Sequence, residues 1–419
     1  MKVCVLGLGY IGLPTALVLA DHGYDVLGFD INNSVIDSIN SGIAHFYEPD
    51  INSLLPKMLE TGRLRCSTQI EPVDTFVIAV PTPLTSDNKA DLSAIQVAVE
   101  YIGPVLKSGN LVILESTSPV GTTEKLVEWF RELRPDLNYP SPGTRGEGAE
   151  INIAYCPERV LPGRVFDELI ANGRIIGGLT RACGTRATEF YQRFVTGECI
   201  SVDARMAELC KLTENSFRDI NIAFANELSF VCDKLGIDVF NLIGLANIHP
   251  RVTILEPGPG VGGHCVAVDP WFIVEAVPED TALISTARQV NEKKPAKVLQ
   301  KISESITRSG ISLNELSVAC FGVTYKKNSG DLRGSPALII VRELAQWSIG
   351  NLLVIDPHVN QEDIHKIVPT AQISEPLVAL GTAEICVMLV DHDEFSSIDK
   401  SLLLGKQIVD TRGVWSELE

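Results

Sequence analysis

Short, almost wholly apolar runs alternate with amphipathic stretches along the first third of the chain. The runs are "KVCVLG", "DVLGFD", "TFVIAV", "LVILES" and "NIAYCP". Strands apolar on both faces, each followed by a helical pattern, predict a parallel sheet covered on both sides. The pattern then changes. From about Ala204 to Phe240 glycine is scarce and proline absent, and "AELCKLTENSFRDINIAFANELSFVCDKLG" predicts one long amphipathic helix closed by Gly236. "DTALISTARQVNEKKPAKVLQKISESI" predicts more helix, with an interruption expected near Pro295. In the last third "SVACFGV", "NLLVIDP", "EICVMLV" and "KQIVDT" predict the strands of a second parallel sheet. The expected fold class is α/β, with two parallel-sheet domains joined by a long helical central segment.

Composition narrows the partners. At 419 residues the chain is long enough for two or three domains. A net charge of −18 argues against nucleic acid and anionic membrane surfaces as partners, while leaving room for a small anionic ligand held by a few local cations. None of the ten cysteines is in Cys-x-x-Cys spacing, which argues against a zinc site, and no metal is expected. Most cysteines lie in apolar runs, as small hydrophobes of a reducing cytoplasm do. Lys2 followed by Val3 to Ala20 imitates a secretion signal, but glycines and Pro14 break that run.

Those glycines have a stronger reading. "VCVLGLGYIGLPTA" is strand, then Gly7-x-Gly9-x-x-Gly12, then helix, and the next strand ends on Asp30, 18 residues after Gly12. This is the Rossmann dinucleotide fingerprint: a tight turn, close backbone approach to pyrophosphate, helix N–H groups for the phosphates and an acid for the ribose hydroxyls. Asp30 would repel a 2′-phosphate, so NAD is expected rather than NADP. "VPTP" and "ESTSPVGTT" fall at later strand ends of the same sheet, the edge where ligands bind, which makes Thr82 and Thr117 cofactor neighbours or, alternatively, helix caps. On the long helix Lys211, Asn215 and Arg218 share a face, among the apolar neighbours Leu209, Cys210, Leu212, Phe217, Ile220 and Ile222. A lysine in such surroundings is expected to have a lowered pKa and to serve as acid or base. "GPGVGGHCVAVDP" sets Cys265 where the backbone is most permissive, with Asp269 four residues on.

Together the motifs GLGYIGLP, VPTP, ESTSPVGTT, "CPERVLPG", "KLTEN", "GGHC", "YKKNSGDLRGSP" and "DTRGVW" resemble the UDP-glucose/GDP-mannose dehydrogenase family over essentially the whole chain. Within it, "NIAYCPERVLPG", "CKLTENSFRDINIAFANEL", "HPRV" and "GPGVGGHCVAVDPWF" are similar to the UDP-N-acetyl-D-mannosamine dehydrogenases. Members that oxidise UDP-glucose usually carry a lysine just before the aspartate of the cysteine loop, where this chain has Val268. They also carry a second glutamate where Pro162 stands here. The C2 epimer UDP-N-acetylglucosamine stays open as a substrate, as does a two-electron hydroxyacid dehydrogenase with the same first domain.

The resemblance implies an NAD-binding Rossmann-like domain over residues 1–203. A central helical domain over residues 204–305 carries the lysine and the cysteine loop. A C-terminal UDP-sugar-binding α/β domain covers residues 306–419. It implies four-electron oxidation of a sugar C6 alcohol, with Cys265 as nucleophile, Lys211 as acid/base, Asn215 as its partner, Asp269 serving water or Lys211, Glu158 as base for hydrolysis and Thr117 ordering water. Gly7, Gly9, Tyr10, Ile11, Gly12, Asp30, Thr82, Thr117 and Arg333 would hold NAD. Arg159, Val160, Lys211, Asn215, Arg218, His249, Arg251, Gly262, Tyr325, Lys326 and Arg412 would hold the UDP-sugar. Arg251 would reach a neighbouring subunit's site, which implies at least a homodimer. His264, beside the cysteine, points away from it in an extended loop and is expected to contact substrate or pack rather than activate the thiol.

Overall fold

Val3 and Val5 point to one side of the first strand, β1 (Lys2–Leu6), and Cys4 and Leu6 to the other, and all four are fully buried. Val3 and Val5 join a buried cluster with Leu13, Leu17 and Phe190; Cys4 and Leu6 join one with Phe76, Val99 and Phe130. The sheet is therefore covered on both faces, as its apolar strands require. The computed structural model describes residues 1–46, 48, 50–146, 148–161 and 163–415. The chain divides into two units, Met1–Glu214 with Trp271–Val277, and Asn215–Pro270 with Pro278–Glu419. Pro162, where the family's second glutamate is expected, lies outside the described residues.

The first unit holds an eight-stranded sheet. After β1 come β2 (Asp25–Phe29), β3 (Leu64–Ser67), β4 (Thr75–Ile78), β5 (Leu111–Leu114), β6 (Asn152–Tyr155), β7 (Arg174–Gly178) and β8 (Cys199–Asp203), in the order β3-β2-β1-β4-β5-β6-β7-β8. The helices are α1 (Gly12–Asp21), α2 (Asn33–Asn40), α3 (Ile51–Glu60), α4 (Ser93–Ile102), α5 (Thr122–Leu133), α6 (Val165–Ala171) and α7 (Arg181–Tyr191). One pairing departs from the expected parallel sheet: β7 runs antiparallel to β6, with Tyr155 opposite Gly177.

The sequence patterns do not announce β3, β7 or β8. β3 is short and polar in alternate positions, and β8 lies at the sheet edge with a largely exposed face. β7 carries two glycines. A Cβ on Gly177 would come within 2.7 Å of Ala204 Cα, so the missing side chain serves close packing rather than a turn.

In the second unit β9 (Ser317–Phe321), β10 (Asn351–Ile355), β11 (Gln372–Ile373), β12 (Ile385–Met388) and β13 (Gln407–Asp410) form a parallel sheet in the order β11-β10-β9-β12-β13. The expected long helix is α8 (Ala204–Leu235), 32 residues ending where Gly236 takes a φ of 66°. α9 (Val239–Ala246) follows, and α10 (Asp269–Ala276) starts in this unit and belongs to the first from Trp271 on. α11 (Ala282–Ser309) runs unbroken through Pro295, contrary to the expected interruption. Proline removes one ladder bond there, but Asn291, Lys294, Val298 and Ile302 are buried on either side of it and keep the helix on course. α12 (Pro336–Leu344) starts from Ser335, whose hydroxyl accepts from the Leu338 N–H.

Candidate active site

The glycine loop between β1 and α1 shows why each glycine is there. Gly7 has a φ of +89°, and a Cβ on it would meet Ala79 O at 2.6 Å; a Cβ on Gly12 would lie 1.7 Å from Gly7 O. A Cβ on Gly9 would meet nothing within 4 Å. Two glycines thus let the chain fold on itself, and the middle one faces open space where a pyrophosphate fits against bare backbone. Tyr10 and Ile11 complete the loop, and Ile11 stands at the N-cap of α1. Asp30 follows β2 and accepts from the Leu8 N–H and the Asn32 N–H, each at 2.9 Å. A carboxylate has about four acceptor positions, so capacity remains for ribose hydroxyls. The donors and the open cradle fit a dinucleotide.

The "VPTP" and "ESTSPVGTT" loops follow β4 and β5. The Thr82 hydroxyl donates to Thr117 O at 2.6 Å, and Ser116 donates to Val80 O at 2.7 Å, so the two loops are tied together. Neither threonine caps a helix: α4 begins at Ser93, and α5 is capped by Gly121. Instead Glu208 of α8, fully buried, accepts from the Gly121 and Thr123 N–H groups and the Thr123 hydroxyl at 2.6–2.8 Å. Past β6, Glu158 accepts from the Val160 N–H at 2.7 Å, and the Arg159 guanidinium makes a two-pronged pair with Glu214. Lys211 is buried, while Leu209 and Phe217 are exposed. Burial on this helix follows the face Ala207–Lys211 rather than the apolar character of sequence neighbours.

Behind these loops lies a buried charged cluster that the motifs did not announce. Glu115 and Arg174 are 1% and 3% exposed and stand 3.9 Å apart, with the Arg174 guanidinium 5.3 Å from the Tyr191 ring centre. The Thr15 hydroxyl donates to Glu115 at 3.2 Å. Burial pushes the Glu115 carboxyl up to about 7, against the pull of Arg174 and with a push from Glu158. Between the ordinary value of 4.5 and about 7 the folded protein keeps a proton that the unfolded chain has released. Stability therefore falls as pH rises through that window, by roughly 3 kcal/mol in all. Glu115→Gln is expected to flatten the slope of unfolding free energy between pH 5 and 7; a wild-type slope in that variant would refute the assignment.

The second unit builds the cysteine loop. A Cβ on Gly262 would lie 2.4 Å from Gly334 O, and one on Gly263, at φ +83°, 2.9 Å from the Tyr325 ring. The loop therefore lies flat on the "YKKNSGDLRGSP" segment, which only glycine permits. Cys265 is exposed, and its carbonyl accepts from the Val268 and Asp269 N–H groups at 3.0 and 2.9 Å, opening α10. All ten cysteines are among the described residues, and none forms a disulfide. Asp269 is 2% exposed and accepts from the Asn215 amide at 2.5 Å. Burial pushes the Tyr325 hydroxyl up, and the negative charges of Asp331 and of a Cys265 thiolate add to it. Burial, then Arg333, lower His264, so a neutral ring is favoured.

A buried polar ladder that the sequence reading missed anchors this loop. The Gly258 N–H donates to Asn226, Asn226 to Asn291, and Asn291 to Asp219, at 2.8–3.1 Å, with Arg288 on Asp219 at 2.7 Å. Its only sequence signal is i, i+7 spacing on α8 and i, i+3 on α11.

The expected substrate cations fall into two sets. Arg412 is engaged: it donates to Pro257 O at 2.9 Å and to Asp391 at 2.8 Å, at the base of the cysteine loop. Arg333 is paired with Asp331 at 2.6 Å. Arg218, His249 and Arg251 are exposed, and the Arg251 N–H donates to His249 at 3.3 Å. Lys326 lies half-buried, its carbonyl accepting from Thr324 at 2.9 Å.

A dinucleotide cradle in one unit and a cysteine loop braced on a second parallel-sheet fold in the other define a dinucleotide-dependent dehydrogenase. Residues 1–195 match the NAD binding domain of the UDP-glucose/GDP-mannose dehydrogenase family, residues 205–293 its central domain and residues 319–417 its UDP binding domain. The chain belongs to this family, and its cofactor is NAD. A UDP-N-acetyl-D-mannosamine dehydrogenase of Escherichia coli is 51% identical over 419 residues, 99% of each chain. An NDP-N-acetyl-D-galactosaminuronic acid dehydrogenase of Ralstonia nicotianae is 51% identical over 418 residues, 99% of this chain and 96% of its own. A solved UDP-D-ManNAc dehydrogenase from Pyrococcus horikoshii is 39% identical, with a TM-score of 0.89 over 99% of this chain and 96% of that one. Among the described residues no helix is long and apolar enough to cross a membrane.

Proposed function

We propose that the protein oxidises the C6 alcohol of UDP-N-acetyl-D-mannosamine to UDP-N-acetyl-D-mannosaminuronate in the cytoplasm, for surface polysaccharide synthesis. The observation that carries this reading is Cys265, held in a glycine loop that ends on the Asn215–Asp269 pair. Bound NAD supplies the hydride acceptor, and two NAD are consumed per sugar. Lys211 takes the alcohol proton. Cys265 Sγ adds to the C6 aldehyde as a thiohemiacetal, whose oxidation leaves a thioester on sulfur. Glu158 removes a proton from the water that cleaves it, with Thr117 ordering that water, and the Cys265 thiol departs as the acid is released. Asn215, oriented by Asp269, donates to the developing oxyanion. Gly262, packed against Gly334, can present only bare backbone to the sugar; Arg159, Val160, Arg218, His249, Arg251, Tyr325, Lys326 and Arg412 serve the UDP-sugar. Overall, one alcohol, two NAD and one water give one carboxylate, two NADH and three protons.

The Ralstonia relative supports a second reading, an N-acetylgalactosamine-type sugar with the same chemistry. Incubating the protein with NAD and the UDP derivatives of N-acetylmannosamine, N-acetylglucosamine and N-acetylgalactosamine separates these. The expected result is two NADH per N-acetylmannosamine sugar consumed. One NADH per sugar sinks the thioester route, and preference for another sugar replaces the substrate.

We also propose a homodimer. Phe217, Phe224 and Val231 recur every seven residues on α8 and are 69%, 51% and 47% exposed, an apolar seam suited to a second copy of the same helix. Phe224→Asp is expected to give a monomer by light scattering; a dimer of wild-type strength would exclude this face.

A further inference from the structure

We propose that Glu48 is a positioning residue that links the dinucleotide loop to the substrate loop, so that each ligand tightens binding of the other. The inference rests on the reading above, in which Tyr10 serves NAD, and Arg159 and Val160 serve the UDP-sugar. Glu48 is 2% exposed. One of its carboxylate oxygens accepts from the Tyr10 hydroxyl and from the Gly163 N–H at 3.0 Å; the other accepts from the Val165 N–H at 2.9 Å, at the start of α6. Tyr10 lies between Gly9 and Gly12, and its ring rests on Phe46 at 5.0 Å between centres.

The far side of the substrate loop is fastened to α6. The Leu161 N–H donates to Glu168 at 2.7 Å, and the Asn172 amide to Arg159 O at 3.0 Å. Arg159 and Leu161 are therefore anchored on α6 and its end, and Gly163 and Val165 on Glu48. A carboxylate buried to this degree is costly unless every bond to it is made, and its three donors come from two different loops. Ordering either loop fixes the acceptor that the other needs, so the second ligand meets a partly ordered site.

The test is a fluorescence titration of NADH into the full-length protein, with and without saturating UDP-N-acetylmannosamine. This pair cannot turn over, because NADH already carries its hydride and cannot accept another from the sugar alcohol. In the wild type the sugar nucleotide is expected to lower the NADH Kd by about fivefold or more, the usual scale of coupled sites. Glu48→Gln is expected to bring that ratio below about twofold. A loosened fold lowers the amplitude of the titration, not the ratio of the two Kd values. Tyr10→Phe removes one hydroxyl and leaves the bonds to α6, so it reports the same ratio should Glu48→Gln fail to fold. A wild-type ratio of one, or a wild-type ratio retained in both variants, overturns the proposal. Failure of UDP-N-acetylmannosamine to bind the wild type refutes the substrate assignment instead, and the same titration with UDP then reads the coupling.

Discussion

Cys265→Ser is expected to lower formation of the uronic acid by at least about 10³-fold, the scale on which removing a covalent nucleophile acts. NAD binding should survive, because residues 1–195, which match the NAD binding domain, lie in the other unit of the chain. The reason is chemical rather than structural. A serine hydroxyl is far less nucleophilic than a thiolate at neutral pH, so the aldehyde is not captured and no thioester forms. Chromatography of the sugar product with a parallel NADH titration reads both outcomes. Acid formation within tenfold of wild type would sink the covalent route while leaving the dehydrogenase assignment standing.

Arg288→Met is expected to destabilise the second unit by about 3–5 kcal/mol, which lowers its melting temperature by roughly 6–20 °C. Asp219 is fully buried, and burial already pushes its carboxyl up in spite of Arg288 at 2.7 Å. Removing the cation strands that carboxylate. The damage should spread, because Asn291 bonds Asp219 and leads through Asn226 to the Gly258 N–H of the cysteine loop. The double variant Arg288→Met, Asp219→Asn removes both charges but keeps an acceptor for Asn291, and is expected to recover most of the loss. Calorimetry of the two variants decides it; a loss under about 1 kcal/mol in the single variant would mean that the pair is dispensable.

The parts of the fold that were legible in the sequence are those where the backbone demands a particular residue. Gly7 and Gly12 have no room for a Cβ, Gly236 ends α8 at positive φ, and Gly262 and Gly263 lie against Gly334 and Tyr325. Each demand leaves a glycine at a fixed offset from an apolar run, and such patterns can be read. β7 and β8 escaped because the glycines of one and the exposure of the other erase the apolar signature of a strand. Glu48, Glu115, Glu208, Asp219 and Arg288 escaped for a different reason. Charged residues signal surface in one dimension, and only the fold shows which of them meet donors in the interior. Lys211 has apolar sequence neighbours, yet two of these, Leu209 and Phe217, are exposed; its burial follows helix periodicity instead.

The reversed strand β7 has a consequence for how charge reaches the ligand edge of the first sheet. In the parallel strands each chain arrives at that edge at its last residue, and a loop must carry any functional group onward. β7 runs the other way, so its first residue, Arg174, comes within electrostatic reach of Cys156 and Glu158 beyond the end of β6. Were it parallel, the same five-residue strand would leave its opening residue at the opposite rim, about 15 Å away. Strand polarity thus delivers a cation to the interior of an acidic protein on rigid backbone, and an insertion in the segment before β7 should be tolerated far less well than the surface position of its neighbours suggests.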